Sequence, residues 1–215
     1  MCTGTHTRTL CINNMSQNQL RYNGEATVKQ SYMSEFVVEC PKCHKDAIVT
    51  SDSPWHLSNG KLTCHNCSFK QEESNIIRYS AEVRRNCDNC GKLFHSIIPP
   101  SKAKIEQISI KCPNCKKTRE YKPRYTIVKE FYPNTGRRSD PIFNLTLWYQ
   151  APFKKDVLWA FNKKHLMEIK AYVESKLRER QTTTHTTMVE RLPSFITSSK
   201  NRTAILKTID KLIKP

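Results

Sequence analysis

The chain has 215 residues, with 36 Lys and Arg against 19 Asp and Glu, giving a formal net charge of +17 and a pI near 9.6. Hydrophobic residues make up only 37% and mean hydropathy is -0.65; no run approaches the roughly 18 apolar residues of a membrane span, and no GxGxxG or GxxxxGKS loop occurs. An integral helical membrane protein is thereby excluded, a nucleotide-dependent enzyme of the familiar kinds is not expected, and the surplus of cations favours a polyanionic partner, nucleic acid above all.

Residues 1–33 are rich in Thr, Asn and Gln and lack apolar periodicity. They read as a disordered tail or a mis-assigned start, with Met33 or Met15 as the alternative first residue. No apolar stretch of signal-peptide length occurs here, so a cytoplasmic protein is expected.

From residue 34 the cysteines organise the chain. Eight of the ten form four C-x-x-C pairs, Cys40/Cys43, Cys64/Cys67, Cys87/Cys90 and Cys112/Cys115. The first two pairs enclose 20 residues, the last two enclose 21, and 19 separate the sets. This spacing is that of four-cysteine zinc sites used twice. Zinc takes four soft ligands in a tetrahedron, and each C-x-x-C turn offers two thiolates to one side of it. Short β-runs bounded by Gly, Pro and Asn flank every pair, which is the hairpin signal. They include Phe36-Val37-Val38 before Cys40, Ala47 to Thr50 after Cys43, and Leu93 to Ile98 after Cys90, the last ending in a turn at Pro99-Pro100. Two ribbons are expected, over residues 34–75 and 76–120, each holding one structural Zn2+. A cross-brace with alternating pairs on each metal is also allowed by the near-equal gaps. His44, His56, His65 and His95 lie near the cysteines, but four thiolates already close each site, so these histidines are expected to be solvent-exposed or packed. Gly91 follows Cys90 as in rubredoxin-type iron sites, and no other pair has a following Gly.

Residues 121–161 read as a β-region: strands over Tyr125–Phe131, Ile142–Tyr149 and Val157–Phe161, with turns at 133–136 and 152–156. Residues 162–215 read as a basic helical module. Asn162 caps a helix to about Arg180 whose apolar face is Leu166, Ile169, Tyr172, Val173 and Leu177. A short helix near Val189–Ser198, limited by Pro193, and a last one over Arg202–Lys214 follow. Trp148 and Trp159 are expected to anchor the core between strands and helices. His165 and Glu168, one helical turn apart, are expected to be surface residues.

The stretch Leu158-Trp159-Ala160-Phe161-Asn162-Lys163-Lys164-His165-Leu166, then Lys176 to Arg180, Leu192-Pro193 and Ser199 to Arg202, resembles bacterial transcription factor IIB-type zinc-ribbon-containing proteins. These pair tandem CxxC ribbons with such a helical tail and are largely uncharacterised. The likeness covers roughly residues 34–215. It implies the architecture and supplies no activity.

The charge is uneven. Residues 1–33 carry +2, residues 34–120 carry +4 and residues 121–215 carry +11. Four thiolates on a dication are net -2, so two loaded sites would bring the ribbons to about zero. The densest mixing of basic and aromatic residues straddles the junction: Lys116, Lys117, Arg119, Tyr121, Lys122, Arg124, Tyr125 and Lys129. Cations on phosphates with rings on bases is the chemistry of single-strand binding.

The expectation is therefore an α+β protein with two tandem four-cysteine zinc ribbons, a short β-region and a C-terminal helical module. Its metal ligands are the eight paired cysteines. Lys116, Lys117, Arg119, Lys122, Arg124 and Lys129 are the candidate nucleic-acid contacts, on DNA or RNA. The functional reading is a non-catalytic zinc-binding protein serving as a nucleic-acid-binding or transcription/replication accessory factor. The alternative is a protein–protein adaptor using the ribbons and the apolar helix faces. No carboxylate cluster or other catalytic constellation stands out.

Overall fold

A computed structural model describes residues 21–134, 136–180 and 182–214. Residues 1–20, including Cys2 and Cys11, lie outside the described residues. The chain forms two compact units, one over residues 72–132 and the other made of the sequence before and after it.

The discontinuous unit begins with β1 (Glu35–Glu39), β2 (Asp46–Thr50), β3 (Lys61–Thr63) and β4 (Lys70–Glu72), a sheet in sequence order whose last strand ends at the unit boundary. Alternation in β1 buries Phe36 and Val38 and leaves Glu35 outward, the half-buried pattern of period two. The sheet does not stand alone. The Val37 N–H donates to the Phe161 carbonyl at 2.8 Å, the Trp148 N–H donates to the Val37 carbonyl at 2.9 Å, and the Phe36 ring meets Phe161 edge-on at 5.1 Å. A hairpin of β10 (Gln150–Phe153) and β11 (Asp156–Trp159) leads into α1 (Lys163–Glu174). α2 (Ser194–Thr197) and α3 (Arg202–Ile213) complete the unit. Leu166, Ile169 and Val173 of α1 and Ile205 and Ile209 of α3 are all fully buried. The core thus takes up part of the apolar helix faces that the adaptor reading set aside for docking, while Leu177 stays 50% exposed and Leu206, Leu212 and Ile213 are half-buried.

Asn162 caps α1 as expected, accepting from the His165 N–H at 2.9 Å. Its Nδ2 also donates to the carbonyls of Tyr32 and Glu35, at 2.9 and 2.8 Å, fastening the helix to the entry of β1. The helix stops at Glu174 instead of running to Arg180. The Arg178 guanidinium folds back to donate to the Val173, Ser175 and Thr197 carbonyls, which satisfies the helix end with a cation. Arg21 bridges Leu177 in the chain that follows.

Four further expectations are corrected. Residues 21–33 are not a tail: Tyr22 and Tyr32 are buried, Tyr22 against Tyr172 and Tyr32 stacked on His165. Residues 142–149 are a turn and short bridges rather than a strand. The buried Asp140 carboxylate organises them by accepting from the N–H groups of Ile142, Phe143 and Leu145 at 2.9, 2.8 and 2.6 Å, so backbone donors that would have fed a ladder are satisfied locally. Trp148 is 40% exposed and Trp159 half-buried; Phe36, Phe143, Phe161 and Leu158 fill the core in their place. His165 is buried, not on the surface, and the Tyr22 hydroxyl donates to Glu168.

The continuous unit contains β5 (Ile77–Asn86), β6 (Leu93–Ser101), β7 (Ile108–Lys111), β8 (Thr118–Tyr121) and β9 (Arg124–Lys129). β5 is central in a sheet ordered β6-β5-β9, and β7 pairs with β8. The expected β-region is therefore divided: β9 belongs here, while everything from residue 133 belongs to the other unit. Pro99 and Pro100 do not turn the chain but lie inside β6. They are tolerated because β6 is an edge strand and because the register slips between Tyr79 and Ala81, where an extra residue is accommodated opposite the prolines.

Candidate metal centres

The eight cysteine sulfurs gather as two quartets, Cys40/Cys43/Cys64/Cys67 and Cys87/Cys90/Cys112/Cys115, each with all ligand atoms within 4.8 Å of one another. The pairing is sequential, each quartet joining two successive knuckles; the cross-brace is not formed. Across the first quartet Cys40 and Cys67 are 3.7 Å apart and Cys43 and Cys64 are 3.6 Å apart. The corresponding separations in the second are 3.8 and 3.9 Å. A disulfide would need about 2.05 Å, and all eight cysteines are free. A tetrahedron with metal–sulfur bonds of about 2.3 Å has edges of about 3.8 Å. The donor set therefore fits a tetrahedral, thiophilic ion without rearrangement.

Each knuckle is built by the same backbone device. The first cysteine's N–H donates to the carbonyl five residues on, as in Cys40 to Lys45, Cys64 to Phe69, Cys87 to Lys92 and Cys112 to Lys117, all at 2.8–2.9 Å. To close that turn, the residue after the second cysteine enters the left-handed region, with φ of 59° at His44, 57° at Ser68, 69° at Gly91 and 62° at Lys116. Gly91 thus reflects a conformation all four knuckles share and carries no information on which metal is bound.

The surroundings favour thiolate at Cys64, Cys87 and Cys90 and oppose it at Cys43, Cys67 and Cys115. The N–H groups of Asn89 and Cys90 beside the Cys87 sulfur lower its thiol to about 6. The Lys42 N–H donates to the Cys40 sulfur at 3.4 Å, and Asn114 Nδ2 donates to the Cys90 sulfur at 3.5 Å. Cys67 shows the opposite tendency. The Phe69 N–H pulls it down, but burial and the sulfurs of Cys43, Cys64 and Cys40 outweigh this and push it up to about 12. Without a metal, four sulfurs this close share protons; a dication replaces those protons, so affinity falls as pH falls. Asn66 holds the first site from outside, its Nδ2 donating to the Asp46 carbonyl and side chain at 3.2 and 3.1 Å. These asparagines were missed at the sequence level. Their signal is the x-Asn-Cys ending shared by three knuckles, at Asn66, Asn89 and Asn114.

No histidine joins either quartet among the described residues. His44 pairs with Glu39 and His95 with Glu82, at 2.9 and 2.7 Å, while His56 and His65 are exposed. Of the candidate nucleic-acid contacts, Lys116, Lys117, Arg119, Lys122 and Arg124 are exposed, and no acidic side chain pairs with them among the described residues. Lys129 differs: its ammonium is held by the nearly buried Glu73 carboxylate, so it is a structural cation.

No family model, no curated protein and no solved structure matches the chain. Leu158, Phe161, Asn162 and Leu166, which carry much of the sequence resemblance noted above, are all buried. They are residues of packing and capping, so they speak to architecture.

Proposed function

We propose that the protein is a non-catalytic zinc-binding, nucleic-acid-binding factor, with one structural Zn2+ in each quartet and the second unit as the gripping element. Zinc is favoured because a closed set of four thiolates suits a borderline-soft ion that needs no open coordination position. When bound, the ion supplies folding free energy and neutralises half of the thiolate charge; it has no role in turnover here.

The observation that carries the nucleic-acid reading is the row of five exposed cations without an acidic partner among the described residues, Lys116 (which donates to the Pro113 carbonyl at 2.7 Å), Lys117, Arg119, Lys122 and Arg124, around the last knuckle and the start of β9. Residues 72–132 contain 13 Lys and Arg against 7 Asp and Glu, net +6, so this unit stays positive even with a zinc–thiolate centre of -2. Arg84 on β5 is exposed on the sheet face that also carries Arg124. A transcription or replication accessory role and a cytoplasmic setting belong to the same proposal.

The test is fluorescence anisotropy with single-stranded DNA and RNA across a salt series, using the zinc-loaded chain. Binding should weaken steeply with salt, with a slope of about -0.7 for each phosphate contact on a single strand. Replacing the five exposed cations with Gln should flatten that slope, whereas Lys129→Met should leave it unchanged. Absent or salt-independent binding to both polymers sinks the reading.

A further inference from the structure

A cavity of about 240 Å³ lies in the discontinuous unit, away from both quartets in sequence and lined by Lys29, Trp159, His165, Ile169, Met188 and Arg191, among others. Its floor is aromatic and aliphatic, and no acidic residue lines it. Two walls come from segments remote in sequence: Lys29 begins the short 3-10 turn before β1, and Arg191 ends the one after the Thr-rich stretch. Both cations are exposed, and neither has an acidic partner among the described residues. The Lys29 ammonium sits 5.3 Å from the Trp159 ring centroid and 5.2 Å from that of Phe161, a position it holds by cation–π attraction at the cavity's edge.

His165 gives the cavity a directed polar group. It is 3% exposed. The Phe161 N–H donates to its Nδ1 at 3.2 Å, which makes Nδ1 the acceptor and leaves the ring proton on Nε2. Burial, helped by the charge of Lys29, lowers its pKa to about 4, so at neutral pH the ring is uncharged. Stacking on Tyr32 at 4.9 Å fixes the ring plane. Among the described residues no acceptor receives the Nε2 proton. The one buried side-chain nitrogen or oxygen without a partner among the described residues is Arg202 Nε, so the His165 ring N–H reaches the open space of the cavity it lines and can donate there. An apolar pocket with a few convergent polar groups is the usual form of a small-molecule site.

We propose that this cavity binds a small organic monocarboxylate bearing an aromatic or branched apolar group. The apolar part lies against Trp159, Ile169 and Met188. The carboxylate accepts from His165 Nε2 and is neutralised by Lys29 and Arg191 at the rim. The occupant has a single charged end because the lining offers two cations and one neutral ring donor against no acidic residue, and apart from Gln30 the rest of it is hydrocarbon and indole. This site is independent of the nucleic-acid reading and survives its failure.

The zinc-loaded full chain is titrated calorimetrically with 3-phenylpropionate, 3-phenylpropionamide and N-acetylphenylalanine, and the indole N–H signals are followed by NMR, assigned with Trp→Phe variants. Saturable binding of 3-phenylpropionate that moves the Trp159 signal and leaves that of the remote, exposed Trp55 in place is expected. The neutral amide should bind about tenfold more weakly, because it forfeits the charge-assisted hydrogen bonds. Lys29→Met and Arg191→Met should each weaken the carboxylate severalfold; both side chains are exposed, so neither variant threatens the fold. Lys207→Met removes a cation elsewhere on the unit and should change nothing. Tighter binding of N-acetylphenylalanine than of 3-phenylpropionate would identify the occupant as the end of a peptide chain, and the reverse order a free acid. Equal affinity for acid and amide, an equal effect of Lys207→Met, or no saturable binding overturns the proposal.

Discussion

The two quartets are near-copies in geometry and differ in what surrounds them. The second one is half of its own core: Val83, Phe94, Tyr121 and Ile110 pack directly with Cys87, Cys90, Cys112 and Cys115. The first sits at one end of a unit that also buries Phe36, Phe143, Leu158, Phe161, Leu166, Ile169, Val173, Ile205 and Ile209. The same four-sulfur device is therefore an organising centre in one unit and a reinforcement in the other. Small domains without enough apolar area depend on metals or disulfides, and larger ones do not.

The strongest way to break this contrast is to remove one ligand from each quartet. Cys87→Ser should unfold residues 72–132 while the helical unit keeps its dispersed amide spectrum. Cys40→Ser should loosen the first hairpins but leave the signals of α1 and α3 native. Two-dimensional NMR of the zinc-loaded variants reads both. Equal collapse, or none, would mean that the cores do not differ as described. Chelation of the wild type should reproduce the same order of loss.

A smaller effect separates the helical unit by pH. The folded pKa of His165 lies near 4, below the ordinary 6.5. As pH falls through 6.5 the unfolded chain takes up the proton first, so the stabilisation present above that pH is lost on the way down to about 4. The loss should be about 3 kcal/mol. Asp140 works in the opposite direction, since burial raises its carboxyl. The comparison that isolates the imidazole is therefore wild type against His165→Gln, by urea unfolding at pH 7 and pH 4.5. The variant should show a distinctly shallower pH dependence; parallel curves would remove His165 from the argument.

Asn162→Ala comes next, at about 2 kcal/mol, from a lost cap and two carbonyls left without their donor. Urea unfolding monitored by helical signal should show it in the discontinuous unit alone. The smallest expected change concerns the four knuckles. Gly91→Ala should cost about 1 kcal/mol for a left-handed residue gaining a Cβ, and Lys116→Gly should recover a comparable amount. Thermal unfolding of the second unit measures both.

Much of the metal chemistry was legible from residue spacing. C-x-x-C is a local turn, and four such turns at hairpin distances leave the cysteines little choice but to meet in fours. The Asn162 cap and the last helix were legible for the same reason, since capping and 3.6-residue periodicity act within a few residues. Other features were not. The segment 21–33 is polar and aperiodic, yet Tyr22, Tyr32 and Lys29 gain their places from contacts with residues more than a hundred positions away. Asp140 replaced an expected strand because one carboxylate satisfied three N–H groups. The helix that began at Asn162 ended early because Arg178 found carbonyls on two segments.

By itself, then, the sequence determined that eight cysteines would form two four-sulfur sites and that the chain would carry a large positive surplus, while the sequential grouping of those cysteines was read from the structure. Tertiary structure decided where that surplus was free and which chain segments shared a unit. Lys129 is paired with Glu73, while Lys116, Lys117, Arg119, Lys122 and Arg124 have no acidic partner among the described residues, and β9 left the tail to join β5. Ligand spacing and capping are fixed by covalent reach along the chain. Strand partners, ion pairs and the His165 cavity depend on which distant surfaces bury each other, and no local pattern encodes that.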